Sequence, residues 1–182
     1  MNRQISILND QYEELSKEFM KFEDELSKYL SIDIYNLENE CAEHSSHYHK
    51  IAVMVSETGS LQHRSELLVK SLKAEIATNV RSNPEEFGIA KITEGQIFEA
   101  VDKSDDAQNA RLVRLNCTEL NNRANALLQA FEHRRSMLNN EVQLYLSKLS
   151  EPRAEGQVRT MSKALEKREP RKLVRKVNNA ES

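Results

Sequence analysis

Large apolar residues recur every three and four positions along the first thirty residues of the chain. A period of 3.5 residues held over four heptads predicts an amphipathic helix over residues 2–30 with one apolar seam. Half of the seam residues are aromatic, so a mixed helical bundle and a dimeric coiled coil are both compatible with it. The seam consists of Ile5, Leu8, Tyr12, Leu15, Phe19, Phe22, Leu26 and Tyr29.

A second apolar series follows an interruption at Ser31-Ile32-Asp33. It predicts a long helix over residues 33–81, with Asp33 as the N-cap because its carboxylate can accept from free backbone N–H groups. Gly59 is the weak point of this helix, since an interior glycine costs about 1 kcal/mol relative to alanine. We expect either a kink there or one helix that runs on until Pro84 stops it.

Two more helices are predicted beyond a loop over residues 82–93. Thr93 and Gln96 have the spacing of a capping box, which opens a short helix. Ser104 is followed by two aspartates that suit the positive end of a helix dipole. A long helix is therefore predicted over residues 104–149, a stretch that contains neither Gly nor Pro.

The two long helices have nearly equal predicted lengths and a short connection, so they should form an antiparallel hairpin. A turn near residue 93 would place Tyr48 beside Leu138. A hairpin of this kind buries only a narrow stripe, and we therefore expect it to self-associate as a homo-oligomer.

The composition agrees with long helices. The 182 residues include only four Gly, three Pro and no Trp, which is too little turn chemistry for a many-stranded sheet or a nucleotide-binding α/β fold. The predicted fold class is all-α in three parts. They are an N-terminal heptad helix (residues 1–30), a helical hairpin core (31–150) and a flexible basic tail (151–182).

The net charge of −3 conceals an uneven distribution: residues 151–182 carry +4 and the preceding residues −7. Six of the ten residues from 167 to 176 are basic. With few apolar residues, this segment is predicted to be a flexible arm. Its basic side chains are candidates for binding nucleic acid, and we single out Lys167, Arg168, Arg171 and Lys172.

Cys41 and Cys117 lack the spacing of a metal site and are predicted to be reduced. No apolar run approaches the ~20 residues that span a bilayer, and the N-terminus does not resemble a signal peptide. We therefore predict a cytoplasmic protein, in whatever cell contains it, without a membrane partner.

A histidine cluster invites a metal-site interpretation. His44, His47 and His49 lie close to Glu40 and Glu43 in the sequence, but a metal needs three or four convergent ligands and these fall on different helix faces. A polar patch within a helix interface is favoured. No nucleophile motif, phosphate-cradling loop or His-Glu-x-x-His motif occurs, so we predict no catalytic residue, no metal, no cofactor and no enzymatic activity.

The hairpin brings basic residues of both long helices to one end: Lys70, Lys73 and Arg81 from the first and Arg111 and Arg114 from the second. Repeated in an oligomer, such contacts with phosphates would give strong, salt-sensitive binding even to an acidic protein. The alternative interpretation is a solvated helix face that nearby glutamates partly neutralise.

The order of these segments, over residues 24–149, resembles the UvsY-type phage recombination mediators. The shared features are the Ile32-Asp33 entry, a Leu-Lys-Ala step late in the first long helix, a Lys-x-Thr-Glu turn and a closing helix. The resemblance implies a small helical ring that binds single-stranded DNA, helps displace the single-strand-binding protein and loads a RecA-like recombinase. The family's DNA-binding step, Leu-Lys-Ala-Arg, ends here in Glu75, while Lys73 matches its lysine.

Three functions are compatible with the sequence. The first is a recombination mediator that binds single-stranded DNA. The alternative is a structural coiled-coil scaffold or virion-assembly protein without DNA binding, for which the regular heptad of residues 1–30 is the support. A third, an inhibitor or adaptor, would dock on a partner through the amphipathic N-terminal helix.

Overall fold

The computed structural model describes residues 3–89 and 92–150 of the chain. Within these ranges the chain forms four α-helices and a single 3-10 turn, and no strand, which confirms the all-α prediction. The long helices α2 and α4 pack against each other as the predicted antiparallel hairpin. The helices are α1 (Arg3–Ser27), α2 (Leu37–Ser82), α3 (Glu94–Lys103) and α4 (Asp105–Ser150), and the 3-10 turn is Pro84–Phe87.

The chain divides into two compact units, Met1–Val142 and Gln143–Ser182. The first contains α1, α2, α3 and most of α4. Of the second, only residues 143–150 are described, and they are the end of α4. These last turns carry four apolar side chains that are each more than half exposed: Leu144, Tyr145, Leu146 and Leu149.

Helix α1 uses its apolar seam within the chain itself. Ile5 and Leu8 pack in one cluster with residues of α2 and α4, and Phe19 and Leu26 pack in a second. Phe19 is completely buried, and burying a phenylalanine side chain is worth about 1.5–3 kcal/mol. Of the two arrangements compatible with the seam, the structure has the mixed bundle, with α1 as its third helix.

The start of α2 differs from the prediction. Asp33 Oδ1 accepts from the Tyr35 N–H at 2.9 Å, and its carbonyl accepts from the Asn36 N–H at 3.1 Å. Asp33 therefore stabilises a turn ahead of the helix, and the prediction that it caps α2 was wrong. From Leu37 the helix continues without a break through Gly59 and ends at Ser82, before Pro84.

Helix α3 folds back onto α2. Its N-cap is Thr93, whose side chain accepts from the Gln96 N–H at 3.3 Å as the capping box predicts. Ile97 and Val101 of α3 pack against Val80. The last two turns of α2 are thus covered by α3 instead of α4.

This arrangement changes the register of the hairpin. The Tyr48 hydroxyl donates to Glu132 Oε1 at 3.2 Å, six residues short of the predicted neighbour Leu138. The contacts are displaced from the predicted pairing by six residues here and by three at Gln62, which contacts Asn121 where residue 124 was expected, because a turn centred on residue 93 assumes that α2 and α4 end side by side. In fact α2 extends beyond the start of α4.

A polar contact fixes the register in the middle of the hairpin. The buried Thr58 hydroxyl lies 3.1 Å from Asn121 Oδ1, and Asn121 Nδ2 donates to Gln62 Oε1 at 2.7 Å. Buried polar groups tolerate few alternative pairings, because an unpaired one costs about 1–3 kcal/mol. These side chains therefore hold α2 and α4 at one relative position.

Candidate nucleic-acid interface

The hairpin of α2 and α4 has two faces, and α1 covers one of them. Arg64 of α2 and Arg123 of α4 both hydrogen-bond to side chains of α1. Gln62 and Asn121, which contact each other, precede these arginines by two residues, or about 200° around each helix. The Gln62–Asn121 contact therefore lies on the opposite side of the hairpin from α1, and we call this side the open face.

Three of the predicted DNA-binding residues come together on or beside the open face. Lys70 follows Gln62 by eight residues and Arg114 precedes Asn121 by seven, which places them about 12 Å and 10.5 Å along the hairpin in the same direction. Lys73 lies less than one turn beyond Lys70. Lys70 and Arg114 are exposed and Lys73 is partly exposed. Within the described ranges, none of the three forms an ion pair.

The other two predicted residues of the hairpin are paired with carboxylates. Arg81 Nη2 lies 3.2 Å from both carboxylate oxygens of Glu94. Arg111 forms an ion pair with Asp102. Both carboxylates belong to α3, which therefore occupies these two arginines at the end of the open face.

Glu75, which stands where the family has an arginine, lies away from the three unpaired cations. It follows Lys73 by two residues and so projects about 200° further around α2. Its side chain is exposed. The candidate residues of the tail, Lys167, Arg168, Arg171 and Lys172, lie outside the described residues.

Charges are segregated between the open face and α1. Helix α1 contains three basic and seven acidic residues, on the other side of the hairpin. The open face is lined mainly by uncharged polar side chains, and its carboxylates Glu66 and Glu132 each accept a hydrogen bond, from Gln62 and from Tyr48. The open face is therefore less acidic than α1, although Glu66 lies one helical turn from Lys70.

At the far end of the hairpin, the histidine cluster is part of a helix interface. Arg134 of α4 is only 4% exposed; it donates to His44 Nδ1 at 3.1 Å and forms an ion pair with Glu40. His47 is also buried, and its ring lies 4.3 Å from that of Tyr29, two residues after the end of α1. The predicted polar patch is confirmed.

Sequence reasoning missed Arg134, although a signal was present. It lies three residues after Phe131 and four before Leu138, in the apolar stripe of α4. Arg134 also affects the pKa of His44. Burial, and after it the positive charges of Arg134, Arg135 and His47, lower the pKa of this imidazole below its ordinary value of 6.5. The neutral ring can then accept the Arg134 N–H.

The described residues offer little for metal or thiol chemistry. They include no group of three or more His, Cys, Asp or Glu side chains placed to hold a metal ion. Cys41 is exposed, whereas Cys117 is buried between the helices, and burial raises the pKa of its thiol.

None of the helices in the described ranges combines the length and apolar character needed to cross a membrane. Comparison of the chain with protein-family models, with curated proteins and with solved structures found no match.

Proposed function

We propose that this chain is a recombination mediator that binds single-stranded DNA and assists the loading of a RecA-like recombinase in place of single-strand-binding protein. The role is non-enzymatic. The observation that carries the proposal is the group of Lys70, Lys73 and Arg114 on or beside the open face, for which the described part of the chain supplies no ion-pair partner. The segment order that resembles UvsY-type mediators supports the same function.

The binding mechanism is contact with the phosphate backbone. Each lysine or arginine that neutralises a phosphate of a single strand releases counterions, so the logarithm of the affinity falls with the logarithm of salt concentration by about 0.7 per contact. Such contacts read no bases, and the binding is largely independent of sequence. A homo-oligomer, such as a ring, would present the open face repeatedly to one strand and multiply a weak affinity.

The structural scaffold is the second candidate. Its sequence support was the seam of α1, whose buried residues pack within the chain. The exposed apolar side chains at the end of α4, among them Tyr145 and Leu149, favour self-association. A scaffold requires self-association, and a mediator is compatible with it, so DNA binding separates the two functions.

Fluorescence anisotropy with a labelled 20-nucleotide oligothymidylate tests the proposal. We expect the unmodified protein to bind at low salt and the Lys70→Ala/Lys73→Ala/Arg114→Ala variant to bind at least about tenfold more weakly. A matched control is Lys17→Ala/Lys21→Ala, which removes two exposed cations from α1 and should leave binding unchanged. Absence of binding by the unmodified protein at low salt would refute the mediator function and favour the scaffold.

A tail variant locates the site. Alanine at Lys167, Arg168, Arg171 and Lys172 removes four charges while the chain keeps its length. If this variant loses binding and the triple variant of the hairpin does not, the DNA site belongs to the tail and the assignment to the open face is wrong. The loading step is tested separately, by whether the protein accelerates filament assembly of a cognate recombinase on DNA coated with single-strand-binding protein.

A further inference from the structure

The open face also carries a cleft of about 790 Å³ at its far end from α3. Tyr48 and His44 of α2 line it, together with Arg135, Ser136, Leu138 and Asn139 of α4. Tyr48 bonds across it to Glu132, which follows Asn121 by eleven residues, or three turns plus about 20°. The cleft therefore lies on the same side of the hairpin as the Gln62–Asn121 contact and continues the open face.

The cleft combines an aromatic ring with unused polar groups. The half-buried ring of Tyr48 is held in place by its hydrogen bond to Glu132 at 3.2 Å, beside the buried Leu138. Arg135 and Asn139 are exposed at its rim, and no ion pair or hydrogen bond to either is found within the described ranges.

A buried polar atom at the cleft also lacks a partner. His44 is 8% exposed and its Nδ1 is engaged by Arg134, while its Nε2 is buried and has no hydrogen bond within the described residues. A buried polar group without a partner is uncommon in a folded protein. The lining of the cleft thus includes an aromatic ring, an amide and a guanidinium.

We propose that this cleft binds one nucleobase of the single strand that the open face holds, an inference that rests on the proposed function. The base stacks on Tyr48, its edge bonds to the Asn139 amide, and Arg135 contacts the adjacent phosphate. Every base has a π-face, so stacking on an aromatic ring tolerates any sequence. The Asn139 amide offers both a donor and an acceptor, so it can bond to the edge of any base, and the pocket adds affinity to a mediator without restricting it to one sequence.

The distance between the Lys70, Lys73 and Arg114 group and the cleft determines how long a strand must be to contact both. Arg114 and Arg135 lie 21 residues apart on α4, or about 32 Å along the helix axis. At ~3.4 Å per nucleotide of a stacked strand this distance covers about nine nucleotides, and fewer if the strand is extended. One 20-nucleotide strand is therefore long enough to reach both sites.

Photocrosslinking with a 20-nucleotide strand that carries 5-iodouracil at every position tests the inference on the full-length protein. We expect a crosslink at Tyr48, mapped by mass spectrometry of the digested protein. In anisotropy with oligothymidylate, Arg135→Ala/Asn139→Ala should weaken binding about fivefold. The matched control Asn140→Ala alters the exposed neighbour that lies about 100° further around α4, and its affinity should equal that of the unmodified protein.

The outcomes separate this inference from the proposed function. If the strand binds through Lys70, Lys73 and Arg114 but no crosslink forms at Tyr48 and Arg135→Ala/Asn139→Ala binds normally, the base pocket is refuted and DNA binding stands. If the unmodified protein binds no strand at low salt, both are refuted. Because Arg135 and Asn139 are exposed, thermal unfolding followed by circular dichroism should be the same for the variant and the unmodified protein.

Discussion

Arg114 and Arg134 lie twenty residues apart on α4 and have opposite surroundings. Arg134 is buried, bonded to His44 and paired with Glu40, and its guanidinium lies over the Phe131 ring at 6.0 Å. Arg114 is exposed and has no ion pair within the described ranges. The same residue type therefore serves the fold at one end of the hairpin and is available for a ligand at the other.

The difference arises from what covers each end. At the Arg134 end, two residues of the α1–α2 connection make contacts: the Tyr29 ring lies 4.3 Å from that of His47, and the Asp33 N–H donates to Glu40 Oε1 at 3.3 Å. Glu40 thus ties this connection to α4 through Arg134. Arg114 lies on the open face, the side of the hairpin away from α1. The charge pattern of the sequence does not distinguish the roles of Arg114 and Arg134. The residues that surround each side chain in the structure do.

The largest expected effect is the difference in the free energy of unfolding between alanine variants of these two arginines. Arg134→Ala leaves Glu40 without its partner in a mostly buried site, and we expect it to lower the free energy of unfolding by about 3 kcal/mol. Arg114→Ala should change it by less than about 0.5 kcal/mol, because the side chain is exposed. Urea unfolding followed by circular dichroism measures both. Equal losses for the two variants would show that their surroundings do not differ as described.

The next largest effect is expected from breaking the polar contact of Asn121 with Thr58 and Gln62, between the two ends of the hairpin. Asn121→Ala removes the acceptor that faces Thr58 and the donor that serves Gln62, and should cost about 1–2 kcal/mol. Asn122→Ala is the matched control, because Asn122 is the exposed neighbour, and it should be nearly neutral. The same urea experiment applies. If the two variants were equally stable, the contact would not hold the register.

A smaller effect of opposite sign is expected at Gly59. This glycine lies inside continuous α2, and a Cβ there would meet Asn121 Oδ1 at 3.7 Å, an ordinary contact distance. Gly59→Ala should therefore raise the free energy of unfolding by about 0.5–1 kcal/mol, since alanine has less conformational freedom to lose. Destabilisation in thermal unfolding would mean that the hairpin is packed too tightly at this point to accept a methyl group.

The smallest effect concerns acidification of the Arg134 end. The pKa of His44 is lowered in the folded protein, so the fold favours the neutral ring. The stability that this preference contributes is complete above the ordinary pKa of 6.5 and is lost as the pH falls below it towards the folded-state pKa. Protonation would place a positive charge beside Arg134 and Arg135, with His47 close by.

Unfolding free energies between pH 7.5 and pH 5 check this expectation. Glu40 and Glu43 also face the cluster, so the comparison between variants carries the test. His44→Gln keeps an acceptor for Arg134 and should show a weaker loss of stability on acidification than the unmodified protein. His49→Gln, at an exposed position, should retain the full loss. An identical pH profile for both variants would show that His44 does not cause the loss of stability on acidification.

The helices were largely predictable from the sequence because their signals are local. The alternation of three and four from Ile5 to Leu26 identifies the buried side of α1, and Pro84 marks where α2 has ended. The register was not predictable, since it depends on α3 covering Val80. The role of Asp33 was misjudged for a related reason, because its carboxylate serves equally well in a turn and in a helix cap.

The candidate site was predictable only in part. A hairpin brings Lys70, Lys73 and Arg114 to one end whatever its detailed register. That α3 would pair with Arg81 and Arg111 depends on how a short helix folds back, which periodicity does not reveal. The open face itself depends on which side of the hairpin α1 covers, and a heptad pattern identifies the seam of a helix without naming its partner.

The salt dependence of single-stranded DNA binding shows whether Lys70, Lys73 and Arg114 contact the phosphate backbone. For the unmodified protein and the Lys70→Ala/Lys73→Ala/Arg114→Ala variant, the dissociation constant for a 20-nucleotide oligothymidylate is measured over a series of salt concentrations. If the three side chains neutralise phosphates, the slope of log affinity against log salt should be shallower by about 2 in the variant. Equal slopes and equal affinities would contradict the assignment of the open face as the DNA-binding surface.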